Sequence, residues 1–387
     1  MPLCDTIKAS EVILVKFIFA SDSFKGSLSS EKTGKILEEC LKNEIQGATF
    51  EQFLIADGGE GTLEAFLSRG EGKRVYLRVN DPLFREIDSY YIVMGNRAII
   101  ALSEASGLPL LKKEEQNPLN TTTYGTGELI LHALKSGYRD IVVAIGGSAT
   151  NDGGIGALSA LGVKFLDKNG EAVLPVGASL GKIEVIDASS LCKEARDARF
   201  TVMCDVENRL TGKGGATYVY GPQKGANPEA LQILETGMEN YCSIIKSTFN
   251  IDANEIIGGG AAGGIGAGLS VFLGAKMNSG IDTLLDILDF DSHLKGCDYV
   301  ISGEGRIDFQ SACGKVIYGI GKRCLKYGVP LICIAGCLGT GYESVYDIGV
   351  KKIYTLVGNG VDEKTAISEA ERIYRERAKQ LFSELNK

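Results

Sequence analysis

Histidine is nearly missing from this chain, with two among 387 residues. Ten cysteines are present but none stands in a CxxC pair, so a zinc cluster lacks its partners. Scattered cysteines in so long a chain also speak against a disulfide framework, and a reducing cytoplasm is the expected setting. No apolar run is long enough to cross a bilayer. The opening "MPLCDTIKASEVILVKFIFA" carries Asp5, Glu11 and Lys16 where a signal peptide needs an apolar core. Positive charge is in deficit, and a net charge of −8 disfavours nucleic acid or an anionic membrane as partner. No GxxxxGK[ST] occurs, which excludes a Walker-type nucleotide loop, and protein-kinase catalytic-loop signatures are absent too. His132 falls on an expected helix and His293 at a polar helix end, so no spacing supports a Ser-His-Asp hydrolase.

Glycine, by contrast, is abundant: 50 residues against roughly 27 at an average usage of about 7%. No collagen period or low-complexity tract accounts for them, so they belong to folded loops. An apolar content of 44% describes a globular chain, and its length favours two domains. Five stretches share one grammar, an apolar run, then a polar glycine-rich loop, then in most cases a helix. They are "VILVKFIFA" into SDSFKGS, "TFEQFLIA" into DGGEG, "DYVIS" into GEGRID, "VPLICIA" into GCLG and "KKIYTLV" into GNG. Helices are expected over Ser30–Lys42, with Ser29 as N-cap, over Gly61–Ser68, over "GKVIYGIGKRCLKYG" and over Lys364–Asn386. Cys333 and Cys337 read as small hydrophobes of a core.

Two of these units open the chain and three close it. Between them, "KRVYLRVND" and "EIDSYYIVMGNRAIIALSEAS" read as an antiparallel meander turning at Gly95-Asn96. A helix "GTGELILHALKSG", strands "DIVVAIGG" and "RFTVMCDV", and a helix from Pro228 to about Phe249 follow. The expected architecture is α/β and discontinuous. Residues 12–65 and 285–387 form a doubly wound parallel-sheet domain, 66–284 an inserted mixed α/β domain, and 1–11 a loose extension.

Ligands of open parallel sheets bind beyond the carboxyl ends of the strands. The first loop brings Asp22, Ser23 and Lys25 there, the second Asp57 and Glu60 with Gly58 and Gly59 between them, and the third Glu304, Arg306 and Asp308. Carboxylates, a lysine and an arginine converging on bare backbone suit phosphoryl transfer. Amides and cations hold phosphate oxygens, carboxylates hold Mg²⁺, and one carboxylate takes the proton of an attacking hydroxyl. Taken singly, each loop also reads as a capped turn or an exposed ion pair; it is their coincidence that points to a site.

The middle segment adds "GGSATNDGG", whose Gly146, Gly147, Ser148, Asn151 and Asp152 either cradle a ligand or allow close packing, and "CDVENRLTGKGGA" with Asp205. The stretch Gly258–Gly263 matches GxGxxG, but "FNIDANEII" before it makes a poor buried strand.

Together "SDSFKGSLS", "ADGGEGT", "TYGTGELI", "GGSATNDGG", "CDVENRLTGKGGA", "GPQKGA", "AAGGIG" and "SGEGRIDFQSACGK" resemble, in order, the motifs of the bacterial-type glycerate kinases, from about Lys16 to the C-terminus. Ser21 departs from the proline usual there. The resemblance implies two α/β domains, one flavodoxin-like and one restriction-enzyme-like, and ATP-dependent, Mg²⁺-assisted phosphorylation of D-glycerate, with 2-phosphoglycerate the favoured product. By residue type and loop position, Asp57 and Glu60 are assigned to metal or base work, and Lys25 and Arg306 to phosphate or the substrate carboxylate. Asp308 and Asp152 are the rival bases. Substrates are expected to meet between the domains, in a cytoplasmic enzyme for which self-association is left open. A kinase for a related hydroxy acid is the alternative, followed by a nicotinamide-dependent dehydrogenase and a non-catalytic binding module.

Overall fold

The computed structural model describes residues 15–24, 26–56, 58–59, 61–312 and 315–387. Lys25, Asp57, Glu60 and the segment before Val15 lie outside the described residues. In chain order the first strands are β1 Lys16–Ser21, β2 Thr49–Gln52, β3 Lys73–Asn80, β4 Glu86–Met94, β5 Arg97–Ala101 and β6 Asp140–Ala144. They continue with β7 Lys164–Leu166, β8 Val185–Asp187, β9 Arg199–Met203, β10 Lys276–Asn278, β11 Tyr299–Ile307, β12 Leu331–Leu338 and β13 Val350–Thr355. The chain divides into two compact units, one made of the residues up to Ile55 with Leu285–Lys387, the other of Ala56–Leu284.

In the first unit the five apolar runs become the five strands of one parallel sheet, ordered β13-β12-β11-β1-β2. Numbered within the unit this is 2-1-3-4-5, the flavodoxin-like order. β1 is buried from Phe17 through Ser21 because helices cover both sheet faces, which is why it reads as one apolar run instead of an alternation. On one face Phe17 and Phe19 pack against Phe382 of the helix Ala370–Leu385, joined by Ile36, Leu37 and Leu41 of the helix Ser30–Glu44. Elsewhere in the unit Phe53 meets Phe290 edge to face. Ser29 caps the helix Ser30–Glu44 as expected, its hydroxyl accepting from the amide of Lys32. Cys333 is buried in β12, an ordinary core residue.

One expectation fails here. "GEGRID" is not a loop, because β11 continues through it to Ile307. β12 stays in register beside it, with Glu304 opposite Ala335 and Arg306 opposite Cys337. Gly303 permits this, since a Cβ there would lie 2.0 Å from the carbonyl oxygen of Ile334. A glycine usually taken to end a strand here allows two strands to approach.

The second unit holds a six-stranded mixed sheet, β10-β9-β6-β5-β4-β3. β3, β4 and β5 form the antiparallel meander with its turn at Gly95-Asn96, and β5, β6, β9 and β10 run parallel. The helices Tyr124–Lys135 and Ile265–Leu273 add Leu129, Ile130, Ile265 and Leu269 to the core around Ile141 and Val143. β7 and β8 make a separate two-stranded ribbon.

Candidate functional site

In the first unit, the connections from β1 and from β11 leave toward opposite edges of the sheet, so the β1/β11 boundary is a topological switch point. Open parallel sheets bind ligands beyond the strand ends at such a point. β1 ends where Ser21 pairs with Gly303. Beyond that, β11 runs on alone on that side, and the amide of Asp22 donates to the carbonyl of Gly303 at 2.8 Å. Asp22 thus sits beside the backbone that carries Glu304, and its own carboxylate accepts from the amide of Ser23 at 2.6 Å. The structure therefore brings Asp22, Ser23, Glu304, Arg306 and Asp308 to one sheet edge.

Their environments differ. The Arg306 side chain is 64% exposed and reaches Asp308 only at 3.7 Å, a geometry that stabilises little. Glu304 is 8% exposed, and its Oε1 is buried without a hydrogen-bond partner. Burial pushes its pKa from the ordinary glutamate range up to about 7; the charges of Asp22 and Asp308 add to the rise, while Ser311 and Lys315 oppose it. A carboxyl poised near neutrality at a sheet edge is a mark of functional sites.

The linkage has a definite sign. Between pH 4.5 and about 7 the native state binds the Glu304 proton more tightly than the unfolded chain, so stability falls as pH rises through that window. Glu304→Gln stays neutral and escapes the fall, by roughly 3 kcal/mol above the window. Thermal unfolding at pH 5 and pH 8 checks this: the variant should gain on the native protein between the two. A gap that is the same at both pH values refutes the assignment.

In the second unit the loop after β6 meets the loop before the helix Thr62–Leu67. The amide of Gly146 donates to the carbonyl of Gly58 at 2.9 Å, and a Cβ on Gly146 would lie 2.5 Å from Gly59 Cα. Close approach of two backbones therefore explains Gly146. Asp152 is fully buried, and its carboxylate accepts four hydrogen bonds: from the Thr123 amide and hydroxyl, both at 2.8 Å, and from the amides of Gly154 and Gly156. Burial raises its pKa against those four donors. Asn151 is equally buried, its Nδ2 donating to Thr217 Oγ1 while Oδ1 has no partner. Asp205 accepts from the amide of Gly280.

Lys224 escaped sequence reasoning. In "GPQKGA" it reads as a turn lysine, yet it is 2% exposed, and its Nζ donates to Ser148 Oγ at 2.8 Å and to the Thr150 carbonyl at 2.6 Å. Desolvation drags its pKa down to about 7, with the Asp152 charge pulling the other way. Nothing local in the sequence signals this, because its partners lie in a distant loop. Both histidines make side-chain contacts, His132 with the Tyr91 hydroxyl and His293 with Glu51. Among the described residues no three His, Cys, Asp or Glu side chains gather to hold a metal ion. The GxGxxG stretch also loses its dinucleotide context. A 3-10 turn, Ala253–Glu255, precedes it where a strand is required, and a Cβ on Gly263 would lie 2.0 Å from the Thr150 carbonyl oxygen.

The chain resembles known proteins over nearly its whole length. The family model described as "Glycerate kinase family" matches residues 17–386. A glycerate kinase of Halalkalibacterium halodurans is 39% identical over 366 residues, covering 94% of this chain and 96% of that protein. A glycerate 2-kinase of Escherichia coli K12 is 40% identical over 345 residues, covering 89% and 91%. Among solved structures, a Salmonella typhimurium LT2 protein to which the name glycerate kinase 2 is attached superposes with a TM-score of 0.83. It shares 37% identity and covers 96% of this chain and 98% of its own. With a flavodoxin-like sheet whose switch point carries acids and a guanidinium, and with the family's pattern along the chain, this protein belongs to the glycerate kinase family and is a kinase.

Proposed function

We propose that the chain transfers the γ-phosphoryl group of ATP to a hydroxyl of D-glycerate, with 2-phosphoglycerate as the product. The observation that carries this reading is the switch-point cluster of Asp22, Glu304, Arg306 and Asp308, set within a chain of the glycerate kinase family. Arg306 suits the glycerate carboxylate, because a planar guanidinium binds it through two parallel hydrogen bonds. Lys25 suits phosphate oxygens. By residue type and loop position, Gly58, Gly59, Gly146, Gly147, Ser148, Asn151, Asp152 and Asp205 of the second unit, and Asp22, Ser23 and Glu304 of the first, are the candidates for contacting nucleotide or substrate. Asp57 and Glu60 are by type the carboxylates for Mg²⁺, a hard cation held by one or two carboxylates and the phosphates themselves. When bound, Mg²⁺ supplies neutralisation of phosphate charge. By residue type, Asp57, Asp308 and Asp152 are the candidates for the base that takes the hydroxyl proton. Most of the acceleration then comes from positioning, with little covalent work for the protein to do.

The test is ADP release from ATP·Mg²⁺ with D-glycerate, L-glycerate and a panel of longer hydroxy acids, followed by ³¹P NMR of the product. Turnover selective for D-glycerate, with the phosphorus coupled to the C2 proton, is expected. Turnover confined to another acid overturns the substrate, and coupling to the C3 methylene overturns the regiochemistry.

A further inference from the structure

Lys224 is an unusual residue to find wholly inside a protein. It sits on the 3-10 turn Pro222–Lys224, away in sequence from the Gly146–Asp152 loop it reaches. An apolar side chain of similar length would fill the space at a lower desolvation cost. What the amine does that methionine would not is tie together a side-chain hydroxyl and a main-chain carbonyl of that loop. The loop does not need this tie to exist. Its Gly146 amide is held by Gly58, the Ala149 amide by the Ser106 carbonyl, and the Ala149 carbonyl by Thr121 Oγ1. Asp152 pins its far end through four donors.

What the tie settles is the direction of the Ser148 hydroxyl. Ser148 Oγ accepts from Lys224, so a lone pair faces inward and its O–H hydrogen is left to point elsewhere. A neutral amine has two N–H groups for the two acceptors present, Ser148 Oγ and the Thr150 carbonyl; an ammonium has a third. The charge that acts on it is that of Asp152, which acts in turn on the buried Tyr241. Two more polar atoms of the loop, Thr150 Oγ1 and Asn151 Oδ1, are buried without partners. Unsatisfied groups of this kind are costly and tend to persist where function requires them.

We propose that Lys224 is a positioning residue for the phosphoryl transfer: by donating to Ser148 Oγ it turns the Ser148 hydroxyl hydrogen toward an oxygen of a bound anionic substrate. This rests on the reading that the Gly146–Asp152 loop lines the substrate site. Loss of one hydrogen bond to a charged oxygen corresponds to a KM increase of about tenfold or more.

The experiment is a double-mutant cycle on the full-length protein with Ser148→Ala and Lys224→Met, measuring kcat and KM for ATP and for glycerate, with circular dichroism and melting of every variant. Ser148→Ala is expected to raise KM for one of the two substrates with kcat changed less. Lys224→Met should raise the same KM by a similar factor, and the double variant should be no worse than the worse single one. Two KM effects that multiply in the double variant overturn the coupling. An unchanged KM in Lys224→Met, beside a raised KM in Ser148→Ala, overturns the role of Lys224 alone. An unchanged KM in Ser148→Ala overturns the loop's place at the site and the proposal with it. Where Lys224→Met fails to fold, Lys224→Gln, which keeps an N–H donor for Ser148 Oγ, takes its place with the opposite expectation: KM stays near the native value, and a KM raised as far as in Ser148→Ala overturns the role of Lys224.

Discussion

Arg306→Ala should lower kcat/KM for glycerate by about two to three orders of magnitude while leaving the fold and its melting temperature nearly untouched. Both halves follow from its surroundings. The side chain is mostly exposed and its ion pair with Asp308 spans 3.7 Å, so its removal takes away little packing and a weak contact. Its value lies in what it offers a ligand: a fixed fork of N–H donors at the end of β11, beyond the point where β1 stops. Losing a charge-assisted, two-point contact to a carboxylate in the transition state costs rate on this scale. Arg306→Lys separates charge from geometry, because an ammonium keeps the charge but loses the fork, and it should recover only part of the loss. Asp57→Ala should fall as far in kcat/KM. Steady-state kinetics beside thermal melting decide the matter. Activity near that of the native protein in Arg306→Ala removes the residue from the site, and a collapsed melting temperature would make it structural.

The fold was legible where burial is symmetrical. A parallel strand covered on both faces has no polar side to show, so β1 and β12 stand out as apolar runs, and "PLICIA" can scarcely be anything else. The meander from β3 to β5 was legible for the opposite reason, through its turn at Gly95-Asn96. β11 was cut short because Gly303 and Gly305 look like punctuation and Glu304 and Arg306 like loop residues. Only the neighbouring β12 keeps that segment extended. Strand order was not legible, since it is a property of contacts across the chain: the sequence placed the loops of Asp22 and Glu304 at one end of the sheet, but not β1 beside β11 with Asp22 bonded to the backbone of Gly303. The same limit hid Lys224 and Thr123. A lysine in a turn and a threonine before a helix are unremarkable until a loop from elsewhere closes on them. Residue types at the site could be read from the sequence; their partners could not.

The sequence leaves Asp152 open to two roles, base or structural residue, and its hydrogen bonds make them separable. Its Oδ2 accepts from the Thr123 amide, the Thr123 hydroxyl and the Gly156 amide, and its Oδ1 from the Gly154 amide. Asp152→Ala leaves four buried donors facing a void and should cost about 3–5 kcal/mol, a drop of roughly 6–20 °C in melting temperature for a domain of this size. Asp152→Asn is the sharper probe. Its carbonyl can serve the three donors at the Oδ2 position, while its amide meets the Gly154 amide donor to donor, so it should cost about 1–3 kcal/mol. As a pin for the loop, Asp152→Asn keeps kcat within about tenfold in the folded protein. As the base, the same variant would lose about 10²–10⁴-fold in kcat at any stability, because an amide does not accept a proton. Melting and kcat measured on one sample separate the two roles: a stability loss with turnover retained fixes Asp152 as the anchor of the loop, and turnover lost with stability retained returns it to the reacting hydroxyl.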